Sequence, residues 1–211
     1  MKYLLRFIAL ALVCSTATSF KLYQEASEWV FERERKGIKI FTKKSKWGKL
    51  RDAKAVMWVK ATPEEMLRLI TDFENYHTWM THCAKARIVA RLSDNEYIVH
   101  MILNAPWPIK DRDCVVRIKI MRDEKTGIIT VTQTSEPRYI RENENYVRIE
   151  HLVSTWRLVP VNGGTEVTNE YTSNPGGNIP DWLTNTQSVE TPLHNFENLQ
   201  VKTKAINPQK Q

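Results

Sequence analysis

The side chains best suited to metal binding or nucleophilic catalysis are few in this chain, namely five histidines and three cysteines. Two histidines four residues apart would share one face of a helix, but His77 and His82 are five residues apart. The zinc-protease helix motif, closely paired cysteines, a phosphate-binding glycine loop and a serine nucleophile elbow are all missing from the sequence. The sequence therefore indicates neither a metal site nor a cofactor, and it shows no recognisable catalytic residue.

Two cysteines beyond the N-terminal region, Cys83 and Cys114, are candidates for thiol chemistry. A thiol nucleophile needs a base such as histidine within reach, and the sequence does not place one beside either cysteine. The two thiols could form a disulfide in an oxidising compartment, or they could be small buried side chains. The pattern around Cys83 predicts a helix and that around Cys114 a strand, which favours the buried interpretation.

Arg112 and Asp113 form an adjacent pair of charges at the start of a predicted strand. Such a pair could bind a substrate, but we interpret it as a structural pair that holds the preceding loop, because an uncompensated buried charge is costly. The loop itself places an indole between two prolines, at Pro106, Trp107 and Pro108. Trp107 either dips into a membrane interface, aided by the cations beside it, or packs against the last helix.

The first 19 residues differ from the rest of the chain. Two basic side chains within residues 1–6 precede an uninterrupted apolar run at 7–13 and small residues at 14–19. This order is typical of a secretory signal peptide, and the apolar run is shorter than the about 20 residues that span a bilayer. We expect cleavage before Phe20 and a periplasmic or secreted mature protein, or alternatively a lipid anchor on Cys14.

Residues 20–211 are expected to form one soluble domain, because they contain no repeat and no linker. The chain is 42% hydrophobic and 26% charged, as is usual for globular proteins. Its net charge of +7 favours contact with anionic membranes, or simply keeps the protein soluble. No run of basic residues is long enough to suggest nucleic-acid binding, and we expect a monomer.

The spacing of apolar residues predicts the order of helices and strands. A helix is expected over residues 22–34, ended by Gly37, and another begins at Thr62, whose side chain can cap it. Alternating apolar residues predict strands at 38–42, 50–60, 87–92, 97–103, 114–122, 128–134, 146–159 and 165–173. A long final helix is expected from residue 179 to about 205, with Pro192 as its kink or weak point.

Antiparallel hairpins that bury one face against a single long helix indicate the α+β class, with a curved sheet wrapped around a C-terminal helix. One helix cannot fill the whole concave face, so we expect an internal hydrophobic cavity. Strand alternation and the helix stripe select the side chains that should line it, which are Val99, Met101, Leu103, Val116, Ile118, Ile120, Leu193 and Phe196.

Several short segments, taken in order, carry a resemblance to a known family. Residues 104–115 combine a proline-rich loop with an Arg-Asp pair and an apolar strand. Residues 154–160 form a tryptophan-containing strand that ends at a proline, and residues 177–183 lead into the final helix. With the helix start at residues 61–65, this order resembles the START (steroidogenic acute regulatory protein-related lipid transfer) domain over residues 22–206.

The resemblance implies a helix-grip, or Bet v 1-like, fold around a tunnel for one lipid. The C-terminal helix would act as its lid, and the loop with Pro106, Trp107 and Pro108 would be a gate at the mouth. START domains bind sterols, phospholipids, ceramide and other apolar ligands, and many carry them between membranes. We therefore expect a lipid-binding or lipid-transfer protein; the alternative is a cyclase-like or thioesterase-like enzyme of the same fold, acting on a hydrophobic substrate.

Some START domains hold the polar group of the ligand between a buried acid and a base on neighbouring strands. The matching positions here are Met101 and Ile118, and both are apolar. This departure implies an almost wholly apolar inner pocket, or polar recognition elsewhere, with His100 and Glu150 as the remaining candidates. A sterol held by a buried salt bridge is therefore the less favoured ligand.

Overall fold

The computed structural model describes residues 29–47, 50–177 and 186–206. The chain separates into two compact units, residues 1–30 and residues 31–211, and the second contains the elements that form the cavity. The predicted signal peptide lies outside the described residues. Within the described ranges, no helix is both long enough and apolar enough to cross a membrane.

One curved, largely antiparallel sheet of ten strands forms the framework of the described residues. The strands are β1 Val30–Arg35, β2 Ile38–Lys43, β3 Asp52–Val59, β4 Cys83–Ser93, β5 Glu96–Leu103, β6 Arg112–Asp123, β7 Ile128–Ser135, β8 Val147–Arg148, β9 His151–Val161 and β10 Gly164–Asn174. Their order across the sheet is β1-β2-β3-β10-β9-β7-β6-β5-β4, with the short β8 paired to β6. Pairing of β3 with β10 joins the first three strands to the later meander, so the sheet curves around one interior.

Helix α1, Pro63–Thr71, connects the two parts of the sheet and begins where the sequence predicts. The Thr62 hydroxyl accepts a hydrogen bond from the Glu65 amide at 3.2 Å, and the Glu65 carboxylate accepts one from the Thr62 amide at 2.7 Å. This capping box satisfies two backbone donors at the helix start. The apolar side of α1 is buried, and a 3₁₀ helix, Phe73–Thr78, then leads to β4.

The helix predicted over residues 22–34 is wrong for its described C-terminal part, because residues 30–35 form strand β1. Lys36 and Gly37 both have positive φ, 52° and 75°, and connect β1 to β2 in a two-residue hairpin. Gly37 therefore lies in the turn of a β-hairpin and does not end a helix. The charged side chains of β1 suit a strand at the edge of a sheet, since charges there discourage further pairing.

The final helix, α2, spans Thr191–Ile206 and follows a π-helical turn at Thr186–Glu190. Pro192 directly follows this π-helical turn, so the hydrogen-bonding pattern of the helical segment 186–206 changes at the residue expected to be its kink or weak point. Proline has no amide hydrogen and therefore cannot continue the regular helical pattern of the turn before it. The expected part of this helix at residues 179–185 lies outside the described residues.

Helix α2 crosses the concave face of the sheet and is fixed there by side-chain contacts. The Phe196 ring stacks on Trp156 with centroids 5.7 Å apart, and Leu193 and Leu199 are fully buried beside it. At one edge, Glu197 pairs with Arg35 at 2.8 Å. The curved sheet with a C-terminal helix across it confirms the expected α+β helix-grip architecture, and α2 forms the roof over the interior.

Candidate ligand-binding cavity

A cavity of about 190 Å³ lies between the sheet and α2, towards the end of the sheet where β6 begins. Its apolar wall includes Trp79, Trp156 and Phe196, whose rings form a contiguous aromatic surface. On β3, beside β10, the wall consists of the small side chains of Ala53 and Ala55. Small residues at buried positions leave unfilled volume, so these alanines help to keep the cavity open.

A polar stripe lies on the sheet side of the cavity, here called its floor. It consists of polar side chains at paired positions of neighbouring strands. Gln133 pairs with Ser154 between β7 and β9, and Ser154 pairs with Tyr171 between β9 and β10. The next inward position on β10, Asn169, donates a hydrogen bond to the Ser154 hydroxyl at 2.8 Å. All four residues line the cavity. The expectation of an almost wholly apolar pocket therefore needs correction.

Two atoms at this floor are buried without a hydrogen-bond partner of normal geometry among the described residues, Nε2 of Gln133 and Oγ of Ser173. A buried donor without a partner costs about 1–3 kcal/mol, so a ligand acceptor would relieve it. Burial raises the pKa of the Tyr171 hydroxyl to about 12, which keeps it neutral at physiological pH. The floor thus offers neutral hydrogen-bonding groups and no charge.

Of the side chains expected on the wall, Met101, Leu103 and Phe196 line this cavity. Five others are buried in the apolar core but do not line it, and these are Val99, Val116, Ile118, Ile120 and Leu193. They belong to the buried core cluster that also contains Met66 and Ile70 of α1. Strand alternation predicts which strand residues face inward, but it does not predict which of them border open space.

The loop between β5 and β6 borders the mouth of the cavity. Pro106 lines the mouth, whereas Trp107 points outward and is 92% exposed. Pro108 follows Trp107 through a cis peptide bond and is exposed as well. The carboxylate of Asp111 accepts a hydrogen bond from the Ala105 amide at 2.8 Å and so holds the loop at its base. Of the two interpretations of Trp107, packing against the last helix is excluded by its exposure.

Arg112 and Asp113 do not pair with each other, which corrects their interpretation as a structural pair. Adjacent strand residues point to opposite faces, and the two side chains therefore have different partners. Asp113 accepts hydrogen bonds from Nε and Nη2 of Arg148, both at 2.9 Å, and from His100 at 2.9 Å. Arg112 instead faces the cavity mouth and donates to the backbone oxygens of Lys110 and Gly176.

The cluster of Asp113, Arg148 and His100 is structural, since none of its members lines the cavity. Burial alone would raise the pKa of the Asp113 carboxyl, but the hydrogen bonds from Arg148 and His100 outweigh it and lower that pKa. His100 is thereby engaged away from the ligand site, and Glu150 is exposed outside it. The sequence alone does not identify Arg148 as a member of this cluster, because its partner Asp113 lies 35 residues away.

Both cysteines are free and buried, as the buried interpretation expects. Burial raises the pKa of Cys83 to about 11 and that of Cys114 to about 12, so both thiols are neutral. Cys83 begins strand β4 and does not lie in a helix, contrary to the prediction. Cys114 contributes to the cavity wall. Among the described residues, no group of three or more histidine, cysteine, aspartate or glutamate side chains could hold a metal ion.

Sequence comparisons agree with this fold and cavity. The model of the START domain family matches residues 10–203. An uncharacterized protein of Pseudomonas aeruginosa is 29% identical over 177 residues, which cover 82% of this chain and 86% of that protein. The phosphatidylcholine transfer protein of Bos taurus is 32% identical over 95 residues, which cover 43% of this chain and 44% of that protein.

Similar solved structures include a STAR-related lipid transfer protein from Xanthomonas axonopodis, with a TM-score of 0.77 and 28% identity over 84% of this chain and 99% of that one. Human StAR-related lipid transfer protein 5 also has a TM-score of 0.77, at 19% identity over 94% of this chain and 99% of that one. A helix across a curved sheet, with a mostly apolar cavity between them, defines the helix-grip class of proteins. This chain belongs to the START domain family.

Proposed function

We propose that this protein binds one lipid, or another single hydrophobic molecule, in its cavity and carries it outside the cytoplasm. The observation that carries the proposal is the cavity under α2, with its aromatic wall of Trp79, Trp156 and Phe196. Removing apolar surface from water contributes about 25 cal/mol per Å², so an apolar chain is favoured there. The names of the relatives, which refer to lipid transfer and phosphatidylcholine transfer, support a lipid as the ligand.

The proposed location outside the cytoplasm depends on residues 1–19. Their order of basic, apolar and small residues is that of a secretory signal. Cleavage would release a mature chain that starts at Phe20, and acylation of Cys14 would instead leave it attached to a membrane.

One mass-spectrometry experiment on protein purified from its natural host tests both parts of the proposal. Native spectra are expected to show one lipid per monomer, and the intact mass of the denatured chain is expected to correspond to a start at Phe20. An empty protein that also fails to bind a neutral hydrophobic dye would contradict ligand binding. An unmodified chain that keeps residues 1–19 would contradict export, and turnover of a bound ester would favour an enzyme.

The exposed tip of the loop between β5 and β6 is proposed to contact membranes during ligand exchange. Trp107 is 92% exposed, and the whole chain carries a net charge of +7. Replacing Trp107 with alanine is expected to weaken binding to vesicles of anionic phospholipid about tenfold, because an indole contributes favourably at a membrane interface. Cosedimentation with vesicles measures the effect.

The matched control for this prediction is Met121→Ala, which removes another exposed apolar side chain, 53% exposed, from β6. It should leave vesicle binding unchanged, and both variants should bind a soluble hydrophobic dye as the wild type does. Equal vesicle binding by the Trp107 variant and the wild type would show that this loop tip does not contact the membrane.

A further inference from the structure

Arg112 is a buried cation at the mouth of the cavity. The residue is 7% exposed, and burial lowers the pKa of its guanidinium, which means that its charge is poorly solvated. No carboxylate among the described residues forms an ion pair with it within 4.0 Å. Asp111 acts on it only through a longer-range attraction, because the Asp111 carboxylate is held by the Ala105 amide. A buried charge with so little compensation favours an anion beside it.

The Arg112 guanidinium also has more N–H donors than hydrogen-bond partners among the described residues. Arginine carries five N–H donors, and here Nη1 donates to the backbone oxygen of Lys110 and Nη2 to that of Gly176, the latter at 3.3 Å. Among the described residues, the other three donors have no hydrogen-bond partner, so they are available to a ligand. Gly177 lies beside them, since a Cβ at that position would be in ordinary contact with Nη2 at 3.6 Å, and its φ of +65° favours glycine.

Among the described residues that line the cavity, the charged side chains are all cationic. Arg51 and Arg112 line it, whereas neither aspartate nor glutamate does. Arg51 is already paired with Glu32 at 2.7 Å, and its side chain is 42% exposed. Arg112 is therefore the cation whose charge a ligand would compensate most.

We infer that Arg112 binds the anionic group, a carboxylate or a phosphate, of an amphipathic ligand whose apolar chain fills the cavity; this inference rests on the proposed function. A guanidinium can hold either group through two parallel charge-assisted hydrogen bonds. The cavity of about 190 Å³ is below the about 300–1,000 Å³ of most small-molecule sites, which favours one acyl chain over two. The ligand class is thus a single-chain anionic lipid, such as a fatty acid or an alkyl phosphate.

Displacement of the neutral dye N-phenyl-1-naphthylamine tests this inference with three ligands that share one chain: dodecanoate, dodecyl phosphate and dodecanol. The wild type is expected to bind at least one of the two anions about 10- to 100-fold more tightly than dodecanol, as charge-assisted hydrogen bonds to a buried group would give. Arg112→Met should abolish this preference and leave the affinity for dodecanol unchanged. Arg112→Lys should keep part of it, because the charge remains while the planar fork is lost.

Arg122→Met is the control, because it removes an exposed cation of β6 that does not line the cavity and should keep the preference. Persistence of the preference in a folded Arg112→Met protein would overturn the inference. If neither Arg112 variant folds, equal affinity of the wild type for all three ligands would by itself overturn the inference.

Inorganic phosphate is included as a competitor, and displacement of the dye by inorganic phosphate alone would overturn the assignment to an amphipathic ligand. If the protein binds the dye and dodecanol but does not prefer the anions, the inference fails and the proposed function still holds. If it binds neither the dye nor any of the three ligands, the proposed function is contradicted.

Discussion

Replacing Arg148 with methionine is expected to lower the free energy of unfolding by about 3–5 kcal/mol, because it leaves the Asp113 carboxylate buried without its main partner. The two side chains are only 4% and 2% exposed and share two hydrogen bonds of 2.9 Å. Arg148 also donates to the backbone oxygens of Pro137 and Ile140, so the substitution leaves further acceptors unsatisfied. Denaturation in urea, followed by tryptophan fluorescence, measures the loss.

The same pair makes stability depend on pH in a defined direction. The pKa of Asp113 is lower in the folded protein than its ordinary value of 3.8, so the folded state binds this proton less readily than the unfolded state. The contribution of the pair is therefore complete above pH about 4 and is lost as the pH falls through the folded pKa. The Arg148→Met protein should show a smaller loss of stability over this acid range than the wild type.

An exposed ion pair provides the control. Arg122 pairs with Glu64 at 3.0 Å, with side chains 41% and 52% exposed, and Arg122→Met should cost less than about 1 kcal/mol. The double variant Asp113→Leu with Arg148→Leu should be more stable than Arg148→Met, because no buried charge is left uncompensated. Similar small losses for Arg148→Met and Arg122→Met would mean that the buried pair does not stabilise the fold.

Replacing Ala55 with phenylalanine is expected to reduce ligand affinity about 100-fold or more, equivalent to about 3 kcal/mol. Ala55 is buried on β3 with its methyl group on the cavity wall, so a benzyl group there would occupy the space proposed for the ligand. Stability should change little, because the ring fills an existing cavity rather than a packed core. Titration with a neutral hydrophobic dye measures the affinity, and thermal denaturation measures the stability.

Val56→Phe is the matched control for the cavity variant. Val56 is the next residue on β3 and points to the opposite face of the sheet, where the same substitution meets no cavity. It should bind the dye as the wild type does. If a folded Ala55→Phe protein also bound the dye unchanged, the ligand site would have to lie elsewhere.

Local patterns in the sequence determined most of the secondary structure and the class of fold. The strands follow from alternating apolar residues, and α1 begins at Thr62 because its side chain and that of Glu65 satisfy neighbouring amides. Both signals act within a few residues, so they can be read without the partner elements. The final helix and the strand meander together predicted a curved sheet around a helix, which the structure confirms.

Predictions fail where pairing with another strand decides the structure. The predicted helix 22–34 includes residues 30–34, but pairing with β2 through the Lys36–Gly37 turn makes residues 30–35 a strand. Likewise, Cys83 was placed in a helix, whereas pairing opposite Leu103 places it in β4. Apolar spacing over so short a segment is compatible with either state, and hydrogen bonds to another strand select one of them.

The cavity itself was decided only by the tertiary structure. Alternation showed which side chains face inward, but Val116 and Ile118 are packed in the core, whereas Met101 and Leu103 line open space. The polar stripe has a sequence signal, in that Gln133 and Ser154 occupy inward positions of apolar strands. Only the register between β7 and β9, which pairs Gln133 with Ser154, shows that the two residues belong to one polar surface.

The sequence by itself thus determined which residues are strand, helix and core, and it identified the family through ordered local motifs. The tertiary structure decided which inward positions remain open and which charges have partners. Asp113 is compensated by Arg148, 35 residues away, while neighbouring Arg112 is left facing the cavity mouth. The physical reason is that burial and charge pairing depend on contacts between residues far apart in the chain, which local spacing does not encode.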